Sequence, residues 1–218
     1  MFEIMHGTVM NKNPFRGTFK NCFFVSTFFL LLSGCATVQS PMTSVGHPMS
    51  WDARAQGLES IQAWTMNGAV SIQHAEKTEL ASLQWDQKND AYQFALFGPL
   101  GLGRVEITGQ PGRITLAQSN RPPVSAATPE LLMQSQLGWQ IPIVPLYYWA
   151  RGLPSPGMSA KTTFDAYHHL VRLKQGKWEI QYPEYMSVGR WDLPRKILLM
   201  SDQLKIKLVV KSWVVQPK

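Results

Sequence analysis

The sequence predicts a mainly β protein: one strongly curved antiparallel sheet, closed or half-open as a barrel, with helices as its plug or lid. Three observations predict it. Apolar and polar residues alternate with a period of two in segment after segment, so each strand offers a single apolar face. The links between successive segments are short, which joins neighbours as antiparallel hairpins. Midway, the alternation gives way to two apolar segments with helix start and stop signals. A sheet with one apolar face must cover that face, and closure or helices do so.

Each element follows in order. Residues 36–50 are small and polar, with Pro41 and Pro48, and read as a flexible tether running from Cys35. The folded domain is expected over residues 51–218. Trp51, Ala55 and Leu58 stand at helical spacing behind Ser50 as a cap. Trp64, Met66, Gly68, Val70 and Ile72 then alternate with Thr65, Asn67, Ala69, Ser71 and Gln73 as the first strand. Leu83 and Trp85 carry the pattern through Thr78–Asp86, Lys88-Asn89-Asp90 forms a turn, and Tyr92, Phe94 and Leu96 make the next apolar face. Val105 and Ile107 follow a glycine-rich tip, and Ile114 and Leu116 follow the turn at Gln110-Pro111-Gly112.

Thr128-Pro129-Glu130 starts a helix with a hydroxyl cap, proline at the first position and an acid near the positive end. Leu131, Leu132 and Leu137 give that helix an apolar side. Pro142 to Arg151 reads as a second short helix, ended by Gly152. Strands return with Val171 and Leu173, then Trp178, Ile180 and Tyr182 across a Gln175-Gly176 turn, then Ile197 and Leu199. Leu204, Ile206, Leu208 and Val210 form the last apolar face. Trp213 falls on the wrong parity for it, which predicts a bulge or the strand's end.

The N-terminal segment is of another kind. Lys12, Arg16 and Lys20 precede an apolar run, Phe23 to Leu31, that closes on Leu32-Ser33-Gly34-Cys35. The run is too short to span a membrane, which takes about 20 apolar residues. Basic residues, a short apolar stretch and small residues before a cut describe a secretory signal over residues 1–34, and Met10 stands nearer the basic residues than Met1 as a start. The tetrapeptide resembles the lipobox of bacterial lipoproteins. That resemblance implies an N-acyl diacylglyceryl group on Cys35, cleavage before it, and a chain held on a membrane outside the cytoplasm.

The chain has 21 Lys+Arg against 14 Asp+Glu; three basic residues and one acid precede Cys35, leaving 18 against 13, a balance of +5. Lys205, Lys207 and Lys211 alternate along one strand, the pattern of a solvated sheet face, with acidic headgroups or an acidic partner as its other use. Cys22 and Cys35 are the two cysteines, so no disulfide can form within the chain once the signal is removed and Cys35 is acylated. No Gly-x-Ser-x-Gly elbow and no phosphate-binding Gly-x-x-x-x-Gly-Lys loop occurs, and no enzyme is expected. His168-His169 would point to opposite faces of a strand, which makes a core or surface pair of them rather than a metal site. No metal and no cofactor beyond the lipid on Cys35 is expected.

Several segments in order resemble the LolB family of outer-membrane lipoproteins: Trp51 through Asn67-Gly68; Leu83-Gln84-Trp85; Phe94-Ala95-Leu96-Phe97-Gly98-Pro99-Leu100-Gly101; Gly109-Gln110-Pro111-Gly112; Leu137-Gly138-Trp139-Gln140-Ile141-Pro142-Ile143; Tyr148-Trp149-Ala150-Arg151-Gly152-Leu153-Pro154; and, in the last strands, Trp178 and Trp213-Val214-Val215. The resemblance implies an incomplete barrel with a helical lid over an apolar cavity, a fold shared with the carrier LolA. It implies a chain that accepts acylated lipoproteins from LolA and inserts them into the outer membrane, as a monomer and without nucleic acid. Ala36 after Cys35 agrees with sorting to the outer membrane. On pattern alone Met66, Val70, Trp85, Phe94, Leu131, Leu132, Trp149, Trp178 and Ile180 are packed core; the resemblance implies that the group lines the cavity. It also implies a membrane-inserting loop at Gly98–Gly103. This loop has an extra leucine, so Leu100 and Leu102 both stand as its tip. The rival reading from the residues is a lipid-anchored binder of a hydrophobic small ligand.

Overall fold

A computed structural model describes residues 46–99, 103–137 and 139–216. The expected signal, Cys35, Leu100 and Leu102 lie outside the described residues. A first helix, α1 (Trp51–Glu59), leads into strands β1 (Ala63–His74), β2 (Lys77–Lys88), β3 (Ala91–Phe97), β4 (Arg104–Gln110), β5 (Arg113–Gln118) and β6 (Arg121–Ala126). Two helices follow, α2 (Pro129–Leu137) and α3 (Ile143–Ala150). The chain ends in β7 (Ala160–Phe164), β8 (Leu170–Gln175), β9 (Trp178–Val188), β10 (Trp191–Met200) and β11 (Leu204–Val215).

All eleven strands form one sheet in the order β6-β5-β4-β3-β2-β1-β11-β10-β9-β8-β7. Every neighbouring pair is antiparallel. The first and last strands meet at its centre, and β6 and β7, consecutive in the chain across the two helices, are its free edges. The barrel is therefore incomplete, and the helical segment joins its two edges along the chain. Sequence alternation did not announce β6 or β7. An edge strand buries neither face: β6 is exposed along most of its length and carries Pro122-Pro123, whose missing N–H groups matter least at an edge. β7 is likewise exposed except at Phe164.

The alternating apolar residues share one face. Met66 lies opposite both Trp85 on β2 and Trp213 on β11. The parity of Trp213 is resolved by a bulge: Asn67 pairs with Ser212 but Gly68 pairs with Val210, so Lys211 is the extra residue and Trp213 turns inward. The strands approach so closely there that a Cβ on Gly68 would collide with the Val209 carbonyl oxygen. Among the described residues, the core drawn from this face and the helices runs from Leu58 to Trp213. The docked chain also starts earlier than the expected domain boundary at Trp51. The His47 main-chain N–H donates to Asp192 Oδ2 at 2.8 Å, and its ring lies 2.9 Å from Asp192 Oδ1.

Candidate functional site

The apolar face is filled at one end and hollow at the other. At the filled end, Trp64 meets Trp85 and Trp213 edge-on, with ring centroids 4.6 and 5.0 Å apart. At the other end lies a cavity of about 90 Å³ with a wholly apolar wall. Val70, Trp85 and Phe94 line it from the sheet, and Met133, Ile143 and Leu146 from the helical side. In this measure a water-sized group takes about 10–15 Å³, so the cavity receives roughly six to nine methylenes. That is about half of one fatty-acyl chain.

The expected lining residues therefore divide. Val70, Trp85 and Phe94 face the cavity. Met66, Trp149, Trp178 and Ile180 are fully packed in the solid part and stand outside the cavity wall: Met66 lies between Trp85 and Trp213, and Trp149 packs against Trp178. Leu132 is buried, but Leu131 is 64 % exposed. Consecutive helical residues point about 100° apart, so the inward arc of α2 holds Leu132 and Met133 at its two sides and leaves Leu131 to solvent. The inward pair is Leu132 and Met133. The sequence reading misses Met133, Ile143 and Leu146 as lining: it places the apolar side of α2 at Leu131, Leu132 and Leu137, and reads Ile143 and Leu146 as part of an apolar helix without saying what they face.

The two helices over this face are anchored differently. At the end of α3, Arg151 is buried, with no carboxylate partner among the described residues. Its Nη1 donates to the carbonyls of Ile61 at 2.7 Å and Leu58 at 2.9 Å, and its guanidinium lies 3.9 Å from the Tyr147 ring centroid. Burial pulls this guanidinium below its usual pKa, and the neighbouring Tyr147 and Tyr148 phenols oppose that pull. Trp149 Nε1 donates to Gln175 Oε1 at 2.8 Å, and the Tyr182 hydroxyl donates to the Trp149 carbonyl at 3.0 Å. Helix α2 has a local cap, Leu131 N–H to Thr128 Oγ1 at 3.4 Å, and a local bond from Ser135 Oγ to the Leu132 carbonyl. Among the described residues, no hydrogen bond ties α2 to the sheet; Leu132 and Met133 hold it by apolar contact.

A buried polar cluster lies outside the cavity. Asp192 Oδ2 accepts from Arg54 Nη1 at 3.2 Å and lies 3.1 Å from His169 Nε2, while Oδ1 accepts from Ser187 at 3.0 Å. His169 Nδ1 lies 2.8 Å from Asp165 Oδ2, and the ring stacks on Tyr185 at 4.3 Å. Burial alone would raise the Asp192 pKa, but hydrogen bonds from the His47 main chain and from the His169, His47 and Ser187 side chains outweigh it and hold the carboxyl well below the usual range. His168 and His169 do diverge, as expected, but from a turn: His168 is exposed at φ 58° and His169 is buried. The cluster pins α1 and the entering chain to β10. No group of three or more metal-ligating side chains occurs among the described residues. Nor is any helix among them long and apolar enough to cross a membrane.

With this geometry in view, the comparisons are specific. The family model "Outer membrane lipoprotein LolB" matches residues 62–213. The outer-membrane lipoprotein LolB of Coxiella burnetii (strain RSA 493 / Nine Mile phase I) is 43 % identical over 194 residues, covering 88 % of this chain and 92 % of that one. That of Pseudomonas putida (strain W619) is 39 % identical, covering 88 % and 94 %. Among solved structures, a LolA superfamily protein of Nitrosomonas europaea matches with a TM-score of 0.52 at 8 % identity, over 78 % of this chain and 95 % of that one. That last likeness concerns the fold alone.

Proposed function

This chain belongs to the LolB family, the non-enzymatic outer-membrane lipoproteins of lipoprotein localisation, and from that premise we propose how it handles its cargo. The chain accepts acylated lipoproteins from LolA by taking their acyl chains under α2, then passes them to the outer membrane. The observation that carries this reading is the wholly apolar cavity whose helical wall includes Met133 of α2, a helix with no hydrogen bond to the sheet among the described residues. A triacylated cargo exposes three chains of roughly fifteen methylenes. At about 0.8 kcal/mol each, contact with water costs on the order of 30 kcal/mol. A cavity of about 90 Å³ replaces a small part of that burial, so uptake requires α2 to lift and the cavity to widen. The chain has no nucleotide-binding loop, and transfer runs downhill: acyl chains bind LolA less tightly than this protein, and this protein less tightly than bilayer.

Release uses the loop Gly98–Gly103. Leu100 or Leu102 enters the headgroup region, worth about 1.5–3 kcal/mol for a buried leucine. The lipid on Cys35 acts as a tether. Leu100→Glu is expected to leave cargo acceptance intact and to slow insertion into liposomes; equal insertion rates would rule out this role.

Mixing LolA loaded with a labelled lipoprotein with residues 36–218 and following the label by pull-down tests the acceptor role. Transfer of the label is expected. The small volume of the cavity favours one other reading, a lipid-anchored binder of a hydrophobic small ligand. Copurification of a defined small molecule, with no transfer from a competent carrier, would support that reading instead.

A further inference from the structure

The outer face of the sheet divides into two regions of different chemistry. Over β1 to β4, its polar side chains satisfy one another: Thr65 donates to Asp86 at 2.6 Å, Gln84 to Asp86 at 2.7 Å and Gln93 to Glu106 at 2.7 Å. Toward the cavity end the face changes. One row across the strands reads Phe97, Ser82, Ala69, Val209 and Lys196, and the next reads Leu80, Ser71, Lys207 and Leu198. Leu80 is 62 % exposed and Val209 is 37 % exposed. With Phe97 and Pro99 at the base of the loop, they line an open groove of about 810 Å³. Lys207 also lines it, and no acidic residue does. Cavity and groove lie back to back across β1, and Val70 belongs to both.

Lys207 is the one charged residue that lines this groove, and the row through Val209 runs on past Lys196 to Glu184. No lysine takes part in an ion pair among the described residues. The carboxylates farther along the outer face, Glu184 and Glu179, are held by Arg195 and Arg172 at 3.8 and 3.7 Å. Exposed aliphatic side chains bordered by free lysines fit an anionic lipid surface: the apolar groups enter the interface while the lysine stems lie flat and their ammonium groups meet phosphates. A protein partner would be expected to meet aromatic or arginine anchors in the groove, and Phe97 is the one aromatic residue there. We infer that the outer face of β2, β1 and β11 beside the loop is a membrane contact that lies on anionic phospholipid and sets the cavity end against the bilayer. The inference rests on the membrane step proposed above and gives that step a second surface besides the loop.

The test uses residues 36–218, which lack cysteine. Single cysteines at Leu80, Val209 and, on the polar region, Thr108 each carry a polarity-sensitive dye. Vesicles containing phosphatidylglycerol are expected to shift the emission at Leu80 and Val209 to the blue and to leave Thr108 unchanged; phosphatidylcholine vesicles are expected to shift none. Each lysine near an anionic surface contributes about fivefold to partitioning, so Lys205→Gln with Lys207→Gln is expected to weaken vesicle binding about 25-fold. The same double variant is expected to accept cargo from the loaded carrier at the wild-type rate. No shift at Leu80, or an equal shift at Thr108, would overturn the inference. So would a double variant that binds vesicles normally but accepts cargo slowly, which would assign the face to the carrier. Failure of the wild-type chain to accept cargo counts against the proposed function alone, because vesicle binding is read without carrier or cargo.

Discussion

Helices α2 and α3 cover the same concave face, yet different forces hold them to it. Arg151 fastens α3 at the carbonyls of Leu58 and Ile61, and Trp149 and Gln175 fasten it again. Those groups are buried, and each bond is costly to break once water is excluded. Helix α2 rests on Leu132 and Met133, whose contacts are non-directional and reform at many positions. One sheet thus carries a helix tied by polar bonds and a helix held by apolar contact, and the cavity is lined by both, through Ile143 and Leu146 of α3 and Met133 of α2. The difference shows that one apolar face can be covered by two kinds of contact: polar bonds that fix one geometry, and apolar contacts that do not.

The comparison can be broken first at the fixed end. Asp192→Asn removes the charge that Arg54, His47 and His169 surround, and a loss of about 3–5 kcal/mol in urea unfolding is expected. Because the folded-state pKa of Asp192 is depressed, its contribution is complete above the usual carboxylate range, about pH 4, and is lost as the pH falls through that range and below it. Wild-type stability should therefore decline on acidification more steeply than that of the variant. Parallel slopes would show that this carboxylate is not the group responsible.

Next in size is Arg151→Met. It leaves the carbonyls of Leu58 and Ile61 buried without donors, for an expected loss of about 3 kcal/mol and faster hydrogen exchange in α3. A silent substitution would remove the distinction between the two helices. A third change sharpens it. Leu132→Ala is expected to cost about 2 kcal/mol in burial and cavity terms. Its hydrogen-exchange effect should be confined to α2, leaving α3 protected. Leu131→Ser, one residue away and exposed, should change stability by less than about 0.5 kcal/mol.

These regions were unequally legible in the sequence. Strands with one buried face announced themselves by alternation, and the misplaced parity of Trp213 pointed to a real bulge. Ser50 and Thr128 cap α1 and α2 as the residue types imply. The edges β6 and β7 left no trace because both of their faces meet solvent. The cavity was legible only as a set of apolar residues. Periodicity says that Val70 and Met66 point inward, but not that one borders a hollow and the other a tryptophan cluster. The polar fasteners were hidden most completely. Arg54 and Asp192 are 138 residues apart, and Arg151 and Ile61 are 90 apart. Nothing local marks such residues as buried, since their burial depends on partners that only the tertiary fold supplies.

The central claim is that acyl chains enter under α2. Gln134 on α2 and Gln203 in the β10–β11 turn border the same surface hollow. Cysteines at both positions in residues 36–218, joined by a short bismaleimide, would hold α2 down. The measurement is acceptance of labelled lipoprotein from loaded LolA by the crosslinked chain and by the same variant left unjoined. Acceptance by the unjoined chain and none by the crosslinked chain is the predicted result; equal acceptance by both would contradict it.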